Sequence, residues 1–144
     1  SGSNAMQPIP TERGVRNLTL TDINGDGHLD ALVADGWHYQ YGAQARAQLS
    51  LYLGPEYSRR SPLTHLTGEY TINSVEVEPE TSNRASRLLL TANKGVYLAT
   101  PTEVGWMIER LMDVPEPGNA VFATIKKQSV VYVSGRPTTE LVLR

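Results

Sequence analysis

The sequence contains no cysteine, so neither a disulfide framework nor a zinc–thiolate site can form. Long apolar runs are also missing, since no stretch approaches the roughly 20 residues that a membrane-spanning helix needs. The chain has no basic excess either: its net charge of −2 argues against a nucleic-acid-binding surface, which is usually basic. We therefore expect neither a nucleic-acid partner nor a membrane span.

Helix-forming patterns are scarce, because glycine and proline interrupt the chain at short intervals. Alternating polar and apolar residues between turn residues predict strands instead. Residues 106–112 (WMIERLM) permit a helix, but their position among the strands predicts a strand. We predict an all-β fold with strands at residues 17–21, 31–34, 49–53, 63–70, 75–78, 87–91, 96–99, 106–112, 120–124, 130–134 and 140–143.

An acidic loop, DINGDGHLD, separates the first two predicted strands. Side chains with oxygen donors stand at alternate positions, Asp22, Asn24 and Asp26, and Asp30 ends the run. Gly25 and the glycine after Asp26 let the backbone curl between them. Calcium prefers about six to eight oxygen ligands, and three carboxylates without a cation would repel one another. The spacing therefore predicts a calcium site.

The loop matches only the first half of an EF-hand loop, because Val33 stands where that loop has its last glutamate. Strand patterns rather than helices flank it, so the predicted unit is a strand, a calcium loop and a second strand. Leu29 is expected to point into the core. A metal-free turn is the alternative, since Asn-Gly and Asp-Gly are strong hairpin signals. The predicted calcium ligands are the side chains of Asp22, Asn24, Asp26 and Asp30 and the backbone carbonyl of His28.

The stretch LTLTDINGDGHLDALVADG, residues 18–36, resembles the calcium-binding repeat of FG-GAP/VCBS proteins, the integrin-alpha-type β-propellers. The likeness consists of the D-x-N-x-D-G-x-x-D core with a strand on each side. The rest of the chain resembles the family only in the periodicity of its predicted strands. The resemblance implies a propeller blade in which calcium pins the connection between two strands.

The sequence also resembles itself. Aligning residues 75–77 with residues 18–20 places residues 88–90 on residues 31–33 without a gap. Such self-similarity indicates a repeat architecture, and its period of roughly 40–57 residues lies in or just above the range of a four-stranded propeller blade.

The second copy lacks the acidic loop. Pro79 replaces Asp22 and Arg87 replaces Asp30, so we expect no calcium there. A third copy begins near residue 119 and has no acidic loop. The predicted division is an expression scar at 1–5, an irregular lead-in at 6–14, blade 1 with the calcium loop at 15–70, blade 2 without it at 71–113, and a partial blade 3 at 114–144.

About three blades are too few to close a ring, because propellers usually have four to eight. The chain is therefore expected to be a piece of a longer propeller, or to self-associate through its open blade edges.

Two other groups of residues are candidates for function. Trp37 and Tyr39 lie in an aromatic loop, where they either contact a ligand such as a sugar or fold down over the sheet. Glu76 and Glu78 share a strand face, which we interpret as a solvated surface rather than a catalytic pair. No phosphate loop or nucleophile elbow occurs, and we predict no enzymatic activity.

These patterns predict a calcium-stabilised repeat module that binds or scaffolds an unknown protein or glycan partner. We expect it outside the cytoplasm, where calcium is plentiful enough for a weak loop. The alternatives are a carbohydrate-binding, lectin-like module and an accessory region of a larger secreted enzyme.

Overall fold

The structure is a computed structural model that describes residues 8–9, 11, 14–35, 46–79, 85–114, 118–134 and 139–143. Within these ranges it confirms the all-β prediction, because they form eleven strands and no helix. The stretch 106–112, which also permitted a helix, lies in a strand. The described part of the chain holds no helix with the length and apolar character needed to cross a membrane.

The strands form three open antiparallel sheets in which each strand pairs with the next along the chain. Sheet 1 contains β1 (Val15–Thr21), β2 (Asp30–Asp35), β3 (Arg46–Tyr52) and β4 (Arg60–Thr67). Sheet 2 contains β5 (Ile72–Val77), β6 (Leu88–Ala92), β7 (Gly95–Thr102) and β8 (Gly105–Asp113). Sheet 3 contains β9 (Ala120–Ile125), β10 (Gln128–Val133) and β11 (Thr139–Val142).

The strand β4 ends earlier than predicted. Gly68 has a φ of +83°, a left-handed conformation that ends the strand at Thr67. The residues that follow form the connection to sheet 2.

The first two strands of sheets 1 and 2 pair in the same register. Leu18 pairs with Val33 in sheet 1, and Val75 pairs with Leu90 at the equivalent place in sheet 2. Both pairings are also irregular at equivalent points, after Val15 and after Ile72. The alignment of the two copies, from residue 18 to residue 75, is therefore confirmed at the level of strand pairing.

The three sheets pack face to face in chain order. Strands β1, β2 and β3 of sheet 1 contact β5 of sheet 2, and β4 contacts β8. On the other side of sheet 2, β5 and β6 contact β9 of sheet 3. Sheet 2 is therefore covered on both faces, which explains why every residue of β6 is buried.

Each junction between sheets has its own apolar core. The first joins Leu32 and Leu49 of sheet 1 to Ile72, Leu88 and Leu90 of sheet 2. The second joins Leu89 and Val96 of sheet 2 to Ala120, Val131 and Val133 of sheet 3. Burial of one such large aliphatic side chain contributes about 1.5–3 kcal/mol to stability.

The prediction that Leu29 points into the core is wrong, because this side chain is 53% exposed. Successive residues of an extended chain point to opposite sides, and the next residue, Asp30, takes the inward position. Ile23, at the other end of the loop, packs against the first core.

Leu89→Ala is expected to lower the free energy of unfolding by about 2–5 kcal/mol, because it opens a cavity between sheets 2 and 3. Leu29→Ala, the same change at an exposed position, is expected to cost within about 0.5 kcal/mol. Equilibrium urea denaturation measures both values. Equal losses in the two variants would contradict the packing described here.

Candidate functional site

The acidic loop connects β1 to β2 and curls around the carboxylate of Asp22. The backbone N–H groups of Gly25 and Asp26 donate to its Oδ1 at 2.7 and 3.1 Å, and that of Gly27 donates to Oδ2 at 2.8 Å. Gly25 and Gly27 have φ angles of +76° and +85°, which residues with a side chain rarely adopt. The two glycines therefore permit the curl that the sequence predicted.

Asn24 and Asp26 form a second pair on the exposed side of the loop. The Asn24 amide donates to Asp26 Oδ2 at 2.9 Å, and the Asp26 N–H donates to Asn24 Oδ1 at 3.0 Å. The N–H of His28 donates to Asp26 Oδ1 at 2.8 Å. The hydrogen bond from Asn24, followed by the bond from the His28 backbone, lowers the pKa of Asp26 below its usual 3.8, so this carboxyl is an anion at neutral pH.

Asp30 is the buried acid of the loop, with no exposed surface. Its Oδ2 accepts a hydrogen bond from the Ile23 N–H at 2.9 Å, and its Oδ1 accepts one from the Gly54 N–H at 2.9 Å. One carboxylate thus ties both ends of the loop to the connection between β3 and β4.

That connection contributes two residues that the sequence did not single out for the site. A Cβ at Gly54 would overlap the carbonyl oxygen of Leu29. The hydroxyl of Tyr57 donates to the same oxygen at 2.8 Å. The sequence showed Gly54 only as the end of a strand, because the contact joins segments far apart in the chain.

The donor chemistry of the loop fits calcium, because carboxylate, amide and carbonyl oxygens are its preferred ligands. In the described conformation the side-chain oxygens of the loop already accept hydrogen bonds. The donors are backbone N–H groups of the loop, the Asn24 side-chain amide and the Gly54 N–H. No three histidine or acidic side chains of the described residues converge closely enough to hold a metal ion. A carboxylate oxygen has two lone pairs, so Asp30 keeps acceptor capacity on both of its oxygens. The loop thus carries the ligand types of a calcium site, but its acidic side chains do not converge in this conformation.

The second repeat uses a buried ion pair at the equivalent position. Arg87, which replaces Asp30, donates from Nε to Glu78 Oε2 at 2.7 Å and from Nη2 to Glu78 Oε1 at 2.5 Å. Both side chains are about 95% buried, so our interpretation of Glu78 as a solvated surface residue is wrong. Its burial follows from sheet 3, whose Ser129 lies over the pair at 3.4 Å from Glu78. Glu76 is exposed, as expected.

A third buried acid, Glu69, lies at the connection between sheets 1 and 2. Its Oε2 accepts the Lys94 N–H at 2.9 Å, and its Oε1 accepts the Tyr97 hydroxyl at 2.7 Å. Arg110 lies 5.5 Å from the centre of the Tyr97 ring. Burial, and then the hydrogen bond to Glu69, raises the pKa of Tyr97 above its ordinary value of 10.0. These contacts fix the connection to sheet 2.

A shallow groove of about 290 Å³ lies beside Arg87, with Leu98, Met107 and Glu109 among its lining residues. The guanidinium of Arg87 is directed to Glu78, so its charge is already balanced within the protein. The predicted ligand-contact residues, Trp37 and Tyr39, lie outside the described residues.

No model of a known protein family matches this chain, and a search of curated proteins finds no match either.

Gly54→Ala is expected to lower the free energy of unfolding by about 1–3 kcal/mol, because the added methyl group displaces Leu29 and the Asp30 contact. It is also expected to shift the amide NMR signals of Ile23 and Asp30. Ser58→Ala is the control, since it changes an exposed residue of the same connection between β3 and β4. If Gly54→Ala left the loop signals in place, the loop would not depend on this contact.

Tyr97→Phe is expected to cost about 1–3 kcal/mol at neutral pH, because Glu69 loses a buried donor. The raised pKa means that the folded state holds the phenol proton more tightly than the unfolded state. Its stabilising contribution is therefore complete below pH 10 and is lost as the pH rises above that value.

Urea denaturation below and above pH 10 tests this. Tyr132→Phe, at an exposed hydroxyl, is the control at neutral pH only, because the hydrogen bond to Glu140 raises the pKa of Tyr132 as well. The control is expected to change the neutral-pH value by less than about 0.5 kcal/mol. A Tyr97→Phe variant as stable as the wild type at neutral pH would show that the Glu69 cluster does not stabilise the fold.

Proposed function

We propose that this chain is a calcium-stabilised, propeller-type repeat module that binds or scaffolds proteins outside the cytoplasm. The observation that carries the proposal is the loop from Asp22 to Asp30, which presents four oxygen-bearing side chains between two paired strands. Three of these side chains, those of Asp22, Asn24 and Asp26, are exposed, so an ion can reach them from solvent. Binding rather than catalysis is the proposed role.

The arrangement of the sheets supports the propeller part of the proposal. Each sheet is an antiparallel meander, and consecutive sheets pack face to face, as propeller blades do. The repeated register of sheets 1 and 2 supports a common blade pattern, with an acidic loop in one copy and an ion pair in the other.

Asp22, Asn24, Asp26 and Asp30 would hold the ion through side-chain oxygens, and His28 through its carbonyl. Calcium would supply positive charge to three nearby carboxylates and would join the end of β1 to the start of β2. Because the acidic side chains do not converge in the described conformation, binding requires them to turn toward one another. Part of the binding energy offsets this rearrangement, so we expect a weak site with a Kd of about 10⁻⁴–10⁻³ M, suited to extracellular calcium.

Thermal unfolding with calcium and with EDTA tests the proposal. Calcium at a hundredfold excess over its Kd is expected to stabilise the wild type by about 2.7 kcal/mol, which raises the Tm by several degrees. The quantity compared between variants is the increase in stability that calcium causes. Asp26→Ala also breaks hydrogen bonds within the loop, and it lowers the baseline whether or not the metal binds.

The increment is expected to vanish in Asp26→Ala and to persist in Glu103→Ala, which removes an exposed acid from the turn between β7 and β8. Identical melting curves of the wild type in calcium and in EDTA would refute calcium binding and favour the metal-free turn.

A further inference from the structure

The two outer faces of the stack of sheets expose apolar side chains. The leading face is the side of sheet 1 away from sheet 2, where Leu18 and Leu20 of β1 are 51% and 52% exposed. Ile9 and Tyr57 pack over Ala31, Val33 and Tyr52 in the middle of the same side, which leaves β1 as its open strip.

In the second repeat, the equivalent residues are covered by the sheet that precedes them in the chain. Leu18 and Leu20 correspond to Val75 and Val77 of β5 by their strand pairing. Val75 is only 6% exposed and Val77 is partly buried, because both pack in the first core against sheet 1. The positions that β5 buries against the preceding sheet are therefore the ones that β1 leaves open.

The opposite end of the stack presents a second exposed face. Phe122 and Val131 face sheet 2, so the alternate residues of sheet 3 face outward. We call this outward side the trailing face; it includes Val121, which is 43% exposed, and Val142, which is 54% exposed. In sheet 1 the equivalent side, away from the leading face, is the one that receives β5.

We infer that the leading face of one copy docks on the trailing face of a second copy, with β1 lying across sheet 3 as β5 lies across sheet 1. The contact is heterologous, since two different surfaces meet and each copy keeps one face free to continue the stack. Successive copies therefore form a ring if the rotation between them closes, and an open filament if it does not.

This inference names a partner for the scaffolding part of the proposed function and does not rest on calcium binding. The exposed side chains on which the docking is argued, those of Leu18, Leu20, Val121 and Val142, are apolar. The strand register also places the hydrogen-bonded pair of Tyr132 and Glu140 on the trailing face. Asp26 lies outside both faces. Assembly is therefore expected in EDTA as well as in calcium, so a failure of the calcium proposal leaves this inference standing.

Sedimentation equilibrium of the wild type from about 1 μM to about 1 mM is expected to show species heavier than the monomer. Leu18→Glu with Leu20→Glu blocks the leading face, and Val121→Glu with Val142→Glu blocks the trailing face. Each double variant alone is expected to weaken assembly about tenfold or more, because docking would bury unpaired carboxylates. Val104→Glu is the control, since this turn residue is 98% exposed and lies on neither face.

A mixture of the two double variants tests whether two different faces meet in the contact. Each retains one intact face, and the two intact faces are complementary, so the mixture is expected to give a one-to-one dimer that grows no further. A wild type that stays monomeric would overturn the inference. So would a mixture that stays monomeric, or assembly that depends on only one of the faces. If the glutamate variants unfold in urea more readily than Val104→Glu, the serine variants at the same four positions replace them.

Discussion

The carboxylate of Asp30 is the contact on which the acidic loop depends. A buried anion is costly unless hydrogen-bond donors surround it, and Asp30 has two, the N–H groups of Ile23 and Gly54. These bonds hold the start of the loop, its end and the connection between β3 and β4 at one point. The exposed acids Asp22 and Asp26 are then presented on a backbone whose position is already fixed.

At the equivalent position of the second repeat, a buried ion pair takes the place of the buried Asp30 carboxylate. Arg87 takes the place of Asp30 and is neutralised by Glu78, which stands across from it at the end of β5. Removal of either partner would leave a buried charge without compensation. The two repeats thus share strand register and sheet packing, while the residues that close their first strand pair differ.

Local patterning predicted most of the fold. Apolar alternation and short apolar runs between turn residues located all eleven strands. The alignment of the two copies matched the observed pairing of Leu18 with Val33 and of Val75 with Leu90. Burial was harder to predict, because it depends on which sheet covers which face. Glu78 was assigned to the wrong environment for this reason, since Ser129 of sheet 3 lies over it. Leu29 was misplaced for a local reason, because Asp30 takes the inward position in the alternation along the chain.

The acidic loop was also predicted from the local sequence, but the contacts that support it were not. The spacing of Asp22, Asn24 and Asp26 indicated a curled loop of oxygen donors, and the hydrogen bonds show such a curl. The support from Gly54 and Tyr57 was not predictable, because neither residue type carries a signal for a contact with a loop more than twenty residues away.

The most direct test of calcium binding is a calcium titration followed by amide NMR signals. We expect the amides of Ile23, Gly25, Gly27 and Gly54 to shift together along one binding curve, while those of Glu78 and Arg87 in the second repeat stay in place. Signals of the acidic loop that do not move at millimolar calcium, or larger shifts elsewhere in the protein, would contradict the account.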